Sequence, residues 1–153
     1  MKVKVWRISN KRHADSLFAG IGAELYGGRF NSPGRKVVYT SGSLSLAMLE
    51  LVVQGNKKDR ISGLVGATAT FAPKDVICLE PCDLPKDWNS RPPRAASQKI
   101  GDKWLENCTS LVLRVPSVIV PTEYNYLINP LHPRFKTIVF GEVEEIVFDA
   151  RLS

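Results

Sequence analysis

The chain has 153 residues, a length that suits one domain able to bury a hydrophobic core. Hydrophobic residues make up 44% and charged residues 24%, a balance typical of a globular protein and not of a disordered one. The formal net charge of +6 suits a polyanionic partner such as a nucleic acid, a nucleotide or an acidic protein surface. We find no apolar run suited to a signal peptide or a bilayer span, so we expect a cytoplasmic protein that does not bind membranes.

Neither the cysteines nor the histidines predict a disulfide framework or a metal site. Cys78, Cys82 and Cys108 are odd in number and form no paired CxxC arrangement, so we expect reduced and partly buried thiols. His13 and His132 are the only histidines, and they are far apart in the sequence. We therefore expect no bound metal.

The N-terminal part predicts a strand, a short helix and a glycine-rich loop. Residues 3–8 alternate in the manner of a half-buried strand, and a short helix is predicted around Ala14 to Phe18. Five glycines and a proline across residues 20–34 permit backbone conformations that other residues resist. We interpret this segment as a loop that shapes a site.

A second strand and a buried helix follow the loop. Residues 37–40 are β-prone, and Ser41 or Ser43 offers an N-cap for the apolar stretch over 44–53. Gly55 is predicted to end that helix. The sequence thus predicts a strand, a turn and a helix in direct succession.

The second half predicts further strands and one more helix. Residues 81–97 are rich in Pro, Asp, Arg and Ser and indicate a surface excursion. A helix from about Ala95 to Asn107 follows, with a buried face carrying Ile100, Trp104 and Leu105. The remaining strands are predicted at residues 61–71, 76–80, 111–115, 118–120, 138–140 and 145–148. Together these elements predict a single α+β domain over residues 1–153.

Glu50 is the only charged residue in the apolar stretch from Ser43 to Val53. Burying an unpaired carboxylate costs several kcal/mol, on the order of the stability of a small domain. Glu50 should therefore meet a cation, hydrogen-bond donors or the hydroxyl groups of a ligand. A glutamate on an exposed stripe of the helix, or in a core ion pair, is the structural alternative.

Arg29 and Tyr39 are two further candidate site residues. Arg29 precedes the predicted second strand, and Tyr39 lies within it. Arg29 follows Gly27 and Gly28, where a ligand could lie against the backbone while the guanidinium binds its phosphates or carboxylates. Tyr39 lies just before the predicted Glu50 helix, so its ring could stack on a flat heterocycle in a shared cleft. Taken alone, both residues have ordinary structural explanations, a turn arginine and a half-buried strand tyrosine.

The sequence resembles the RES-domain toxins over nearly its whole length. The resemblance rests on five blocks of residues that occur in the expected order: Trp6-Arg7-Ile8, Gly22-Ala23, Gly27-Gly28-Arg29-Phe30-Asn31, Val38-Tyr39-Thr40-Ser41 with Leu46-Ala47-Met48-Leu49-Glu50, and Pro116-Ser117 with Glu123 to Pro133. The arginine, glutamate and serine for which the family is named correspond to Arg29, Glu50 and Ser117. Phe30 stands where such proteins often have tryptophan, so an aromatic ring is kept and an indole donor is lost.

The resemblance implies a fold and a reaction. It implies an ADP-ribosyltransferase-like domain with a mixed or antiparallel sheet, which consumes NAD as a substrate and needs no separate cofactor. Glu50, Arg29 and Tyr39 would be catalytic, with Glu50 at a ribose hydroxyl, Tyr39 stacked on nicotinamide and Arg29 on the pyrophosphate, with the amides near Gly27 and Gly28 as additional donors. Further binding positions are expected at Arg7, Gly28, Phe30, Asn31, Ser41, Ser117 and Asn125.

The resemblance also implies partners, while other functions stay open. It implies a homodimeric toxin inhibited by a helix-turn-helix antitoxin of the Xre type, with no direct nucleic-acid binding. ADP-ribosyl transfer to a protein target is the alternative for an enzyme. The basic charge would also suit a toxin acting on RNA, although the sequence has no dense basic and aromatic patch. A non-catalytic domain in which Glu50 and Arg29 form a buried ion pair is the third alternative.

Overall fold

The computed structural model describes residues 1–54 and 62–152. Eight strands of these residues form one sheet. They are β1 Val3–Asn10, β2 Val38–Ser41, β3 Leu64–Phe71, β4 Val76–Cys78, β5 Val112–Pro116, β6 Tyr124–Ile128, β7 Val139–Phe140 and β8 Glu144–Ile146. The α-helices in the same ranges are α1 Ile21–Tyr26, α2 Leu44–Val53 and α3 Ala95–Asn107.

The strands lie in the order β4-β5-β6-β2-β1-β3-β7, and β8 pairs with β3 as well. All neighbouring strands are antiparallel except β4 and β5, which run parallel. The predicted α+β domain with a mixed sheet is therefore confirmed. Both β1 and β6 lie beside β2, and the register aligns Trp6 with Ser41 and Ser41 with Asn125.

Side chains that alternate along the strands divide the core between the two faces of the sheet. One face carries a cluster built around Val5, Val38, Val112 and Ile128. The other face carries two clusters, in which α3 packs through Trp104 and α2 packs through Ala47. Both long helices thus cover the same face, where a cleft is lined by α2 and by the segment that precedes α3.

Helix α2 has the bounds that its sequence predicts. The hydroxyl of Ser43 accepts a hydrogen bond from the amide of Leu46 at 3.1 Å, which satisfies one free donor of the first turn. Leu46 and Ala47 are its buried positions, and Gln54 caps its C-terminus. The prediction that Gly55 ends the helix lies outside the described residues, as does the start at Ile61 of the following strand.

Several local predictions were wrong. The glycine-rich segment contains helix α1, whose N-cap is Gly20 in the left-handed conformation at φ 76°. The short helix near the N-terminus is a 3-10 helix over Lys11–Ser16, capped by Asn10, and starts earlier than predicted. Residues 118–120 form no strand, because the chain turns there and β6 returns antiparallel to β5.

The environment of the thiols also differs from the prediction. Cys78, Cys82 and Cys108 are exposed, not partly buried, and none forms a disulfide. Within the described ranges, we find no group of three His, Cys, Asp or Glu residues arranged to hold a metal ion. No helix in those ranges is long and apolar enough to cross a membrane.

Candidate active site

A cleft of about 690 Å³ opens on the helix-covered face of the sheet. Its floor comes from the row of residues that the strand register aligns, including Trp6, Ser41 and Asn125. Helix α2 contributes Glu50, and the segment after α1 contributes Arg29. The fold therefore brings together residues that are up to 121 positions apart along the chain, from Trp6 to Leu127.

Glu50 is held by two polar side chains from the far end of the sequence. Its Oε1 accepts hydrogen bonds from the hydroxyl of Ser117 at 2.8 Å and from Nδ2 of Asn125 at 2.6 Å. Asn125 is oriented in turn, because its Oδ1 accepts a hydrogen bond from Ser41 at 2.7 Å. Oε2 of Glu50 has no hydrogen-bond partner among the described residues. One carboxylate oxygen is fixed and the other can bind a ligand, which confirms the expectation that Glu50 meets donors.

Ser117 is not among the residues that line the cleft. It is fully buried, and its hydroxyl accepts hydrogen bonds from the amides of Ile119 and Val120, both at 3.1 Å. Those two bonds leave its proton for Glu50, so the hydroxyl cannot rotate away without breaking a bond. We therefore assign Ser117 to positioning Glu50 and not to direct ligand contact.

The ring of Tyr39 lines the cleft, while its hydroxyl points into the protein. The hydroxyl donates to Oδ1 of Asn31 at 2.7 Å and accepts from the amide of Phe30 at 3.1 Å. Burial raises the pKa of Tyr39 well above its ordinary value, so the hydroxyl stays protonated. A Cβ at Gly28 would lie 2.7 Å from this hydroxyl, which explains the glycine at that position.

Asn31 and the glycine amides are already used inside the protein. Asn31 is fully buried, and its Nδ2 donates to the carbonyls of Ala23, Ser32 and Arg35. Its position behind Tyr39 does not fit direct ligand contact, so we assign it to holding the tyrosine. The amides of Gly27 and Gly28 donate to the carbonyls of Ala23 and Asn31, both at 2.9 Å. They are not free donors for a phosphate, contrary to the expectation from the sequence.

Arg29 lines the cleft and is fixed at one end of its guanidinium. Its Nη1 donates to the carbonyls of Trp88 and Ser90, both at 2.8 Å. Nε and Nη2 have no partner among the described residues, so they can still bind an anion. Burial lowers the pKa of Arg29, and the nearby charge of Arg91 lowers it further. Arg29 and Glu50 form no direct ion pair in the described structure, which argues against the purely structural alternative.

Arg7 lines the cleft and bridges β1 and β2. Its Nε donates to the carbonyl of Leu17 at 2.6 Å, and its Nη1 donates to the carbonyl of Tyr39 at 3.0 Å. No carboxylate pairs with Arg7 among the described residues, and burial lowers its pKa. The structure thus gives Arg7 a clear part in positioning the strand that carries Tyr39.

Phe30, which is a predicted binding position, is 2% exposed and packs mainly in the core cluster beside Trp104.

The segment before α3 completes the cleft, although its sequence predicts only a surface excursion. Trp88 is buried at 7% exposure, and Arg91 and Pro93 line the cleft. The hydroxyl of Ser97 donates to the carbonyl of Arg29 at 2.9 Å. A tryptophan within a polar, proline-rich stretch is the signal that could have indicated an anchored segment.

Comparison with known families identifies this architecture. The RES domain model matches residues 4–149. The chain belongs to the RES domain family. The predicted resemblance is therefore confirmed across nearly the whole chain.

Curated RES relatives align over almost the full length of this chain. Toxin Res of Yersinia enterocolitica is 39% identical over 150 residues, which cover 97% of this chain and 99% of the relative. Toxin Res of Photorhabdus laumondii is 34% identical, and the alignment covers 97% of this chain and 96% of the relative. A relative from Sphingobium, named Prs ADP-ribosylating toxin, is 36% identical, and the alignment covers 99% of this chain and 98% of the relative.

A solved structure shares the fold at low sequence identity. The crystal structure of the Mycobacterium tuberculosis MbcT–MbcA toxin–antitoxin complex matches with a TM-score of 0.76 at 17% identity. The match covers 96% of this chain and 85% of the other. The two chains therefore share the fold although most of their residues differ.

Proposed function

We propose that this RES protein is the toxin of a toxin–antitoxin pair and that it cleaves the bond between nicotinamide and ribose in NAD. The observation that carries the proposal is the arrangement of Glu50, with Oε1 fixed by Ser117 and Asn125 and Oε2 without a partner among the described residues. Toxin names among the full-length relatives support the first part. The substrate and the bond are our proposal.

The geometry suits a reaction that needs a single carboxylate. When the C1′–N bond of NAD breaks, its electron pair leaves with nicotinamide as a neutral base, so little acid assistance is needed. The ribose then carries oxocarbenium-like positive charge, which the ionised carboxylate of Glu50 would stabilise while binding a ribose hydroxyl. Glycosidases commonly have a second carboxyl group across the bond, which protonates the leaving group. Because nicotinamide leaves as a neutral base, this second carboxyl group is unnecessary here.

The other cleft residues would hold the two ends of the dinucleotide. The ring of Tyr39 would stack on nicotinamide, and Nε and Nη2 of Arg29 would bind the pyrophosphate. Water adding to C1′ with loss of a proton would give hydrolysis, whereas inorganic phosphate would give phosphorolysis. Incubation with NAD in phosphate and in phosphate-free buffer, followed by mass spectrometry of the products, distinguishes the two acceptors.

ADP-ribosyl transfer to a protein is the second candidate function. It is favoured by the Sphingobium relative, which is named an ADP-ribosylating toxin at 36% identity. The same ionised glutamate would serve both reactions, because they differ only in the nucleophile that adds to C1′. Nicotinamide release that requires an added protein acceptor would favour transfer over hydrolysis.

An antitoxin and a second copy of the chain are the proposed partners. The structural neighbour is a toxin bound to its antitoxin, which supports an antitoxin partner for this chain. We propose that this antitoxin is of the Xre helix-turn-helix type and that the toxin is a homodimer in the cytoplasm. Light scattering of the chain alone and with the antitoxin would measure both assemblies.

The decisive experiment measures nicotinamide release from NAD by the native chain and by Glu50→Gln. We expect the substitution to lower the rate at least about 100-fold, because it removes the charge that stabilises the ribose cation. Arg29→Ala should also lower the rate. Glu142→Gln, at an exposed glutamate, is the matched control and should retain native activity. Equal rates in Glu50→Gln and native protein would contradict the proposal.

A further inference from the structure

Arg91 lies in the same cleft as Arg29 and Glu50. The backbone beside it is anchored, because the carbonyls of Trp88 and Ser90 both accept hydrogen bonds from Nη1 of Arg29 at 2.8 Å. The buried indole of Trp88 fixes the same stretch in the core cluster. Arg91 follows Ser90 directly in the chain, so the contacts of Arg29 and the packing of Trp88 together place Arg91 at the cleft.

The two guanidinium groups repel each other, and the carboxylate of Glu50 is the nearby opposite charge that acts on Arg29. Neither Arg29 nor Arg91 forms an ion pair with a carboxylate among the described residues. Burial lowers the pKa of Arg29, and the charge of Arg91 lowers it further, while the charge of Glu50 acts in the opposite direction. An anion bound between the two groups would remove this repulsion and use their free donors.

We propose that Arg91 is a second phosphate-binding residue and that Arg29 and Arg91 together hold the pyrophosphate of the substrate. The inference rests on the proposed function, since it takes the ligand of the cleft to be a dinucleotide. A pyrophosphate carries two negative charges on adjacent phosphates, so each guanidinium can bind one phosphate. Arg29 then has two tasks, because it binds the ligand and also holds the backbone that presents Arg91.

The test compares two alanine variants from the same segment. Arg91→Ala removes the charge from the cleft, whereas Arg94→Ala removes an equal charge from an exposed residue that does not line it. We expect the Kd of ADP-ribose, measured by calorimetry, to rise about tenfold in Arg91→Ala and to stay unchanged in Arg94→Ala. The KM for NAD should rise by a similar factor while kcat stays within about twofold.

A conservative variant and the native protein separate the possible failures. Arg91→Lys keeps the charge, so its Kd for ADP-ribose should lie between those of the native protein and Arg91→Ala. If Arg91 only supported the fold, keeping the charge would not restore binding of ADP-ribose. Equal Kd values for Arg91→Ala and Arg94→Ala, with tight binding by native protein, would overturn this inference alone. Native protein that neither binds ADP-ribose nor releases nicotinamide would overturn the proposed function, and the inference with it.

Discussion

Tyr39 combines two separate features, since its ring lines the cleft while its hydroxyl is hydrogen bonded behind it to Asn31 and Phe30. The hydroxyl therefore contributes to stability and the ring to the proposed stacking. Its burial raises the pKa of Tyr39 above the ordinary value of 10.0. Since the folded state favours the protonated hydroxyl, the stabilisation is complete below that pH and is lost as the pH rises through the folded-state pKa.

Tyr39→Phe separates these two contributions. At neutral pH the variant should lose about 1–3 kcal/mol of unfolding free energy, because the carbonyl of the Asn31 side chain and the Phe30 amide lose their partner. It should keep most of its nicotinamide release, since the ring remains. Above pH 10 the native protein should lose stability more steeply than the variant, by up to about 1.4 kcal/mol per pH unit. Urea denaturation at several pH values measures both effects.

The exposed Tyr26 provides the matched control for this experiment. Its side chain is 83% exposed, so Tyr26→Phe should change neither the stability at neutral pH nor the alkaline slope. An alkaline slope in Tyr39→Phe equal to that of the native protein would contradict the role assigned to the buried hydroxyl. A complete loss of activity in Tyr39→Phe would contradict the prediction that the ring of Tyr39, without its hydroxyl, is enough for activity.

Glu50 illustrates how far single residues can be interpreted from sequence. A lone carboxylate in an apolar helix has to find donors, so a partnered Glu50 could be predicted. Its actual donors, Ser117 and Asn125, come from 67 and 75 residues further along the chain. Nothing in the local pattern connects them, and only the resemblance to a family suggested both positions. The hydrogen bonds that the buried Asn31 side chain forms with its neighbours could not be predicted either, because buried and ligand-binding asparagines look the same in a sequence.

At the scale of elements, α3 packs unusually closely on the segment that carries Arg29. A Cβ at Gly101 would overlap with the carbonyl oxygen of Phe30. Gln98 and Ser97 of the same helix donate to the carbonyls of Gly28 at 3.0 Å and Arg29 at 2.9 Å. The helix bounds follow from sequence, but this backbone contact does not, because small residues at positions 97 and 101 give no hydrophobic signal.

Gly101→Ala tests this packing. Alanine favours a helix over glycine by about 1 kcal/mol, yet here its methyl group would have to displace the backbone of Phe30. We expect a net loss of about 2 kcal/mol or more in unfolding free energy, together with weaker activity, since the site segment has to shift. Urea denaturation and nicotinamide release provide the measurements.

Gly22→Ala is the control for the same change in an open position. Gly22 lies in α1, and nothing lies within 4 Å of a Cβ placed there. This variant should be as stable as the native protein or slightly more so. Equal effects of the two substitutions on stability would mean that α3 can move away from Phe30 at little cost.

At the scale of the whole molecule, the sheet order could not be predicted from the sequence. Strand β6 lies between β5 and β2, and β1 lies between β2 and β3, so most neighbours are distant in the chain. Composition and local patterns predicted an α+β domain, since they report local preferences. Strand β6 was missed although Tyr124 to Ile128 are β-prone, because the chain reversal after Pro116 resembled an interrupted strand.

An ion pair between a buried aspartate and a partly exposed arginine links the segment between β3 and β4 to the segment between β6 and β7. Asp75 follows β3 and accepts hydrogen bonds from Nε and Nη2 of Arg134, at 2.7 Å and 3.1 Å. Asp75 is 8% exposed, and the hydrogen bonds from Arg134 hold its pKa below the ordinary value of 3.8. Since the folded state favours the ionised carboxylate, this stabilisation is present above pH 3.8 and is lost as the pH falls through the folded-state pKa.

Asp75→Asn should lower the Tm at neutral pH by a few degrees, because Arg134 loses its charged partner between the two distant segments. The variant should also lose less stability than the native protein when the pH falls from 5 to 3, since the Asp75 carboxylate no longer titrates. Calorimetry at both pH values measures these changes. Asp149→Asn is the matched control, because Asp149 pairs with Arg151 only two residues away and both side chains are exposed. If both variants lose equal Tm at neutral pH, the pair at Asp75 stabilises the molecule no more than a surface contact does.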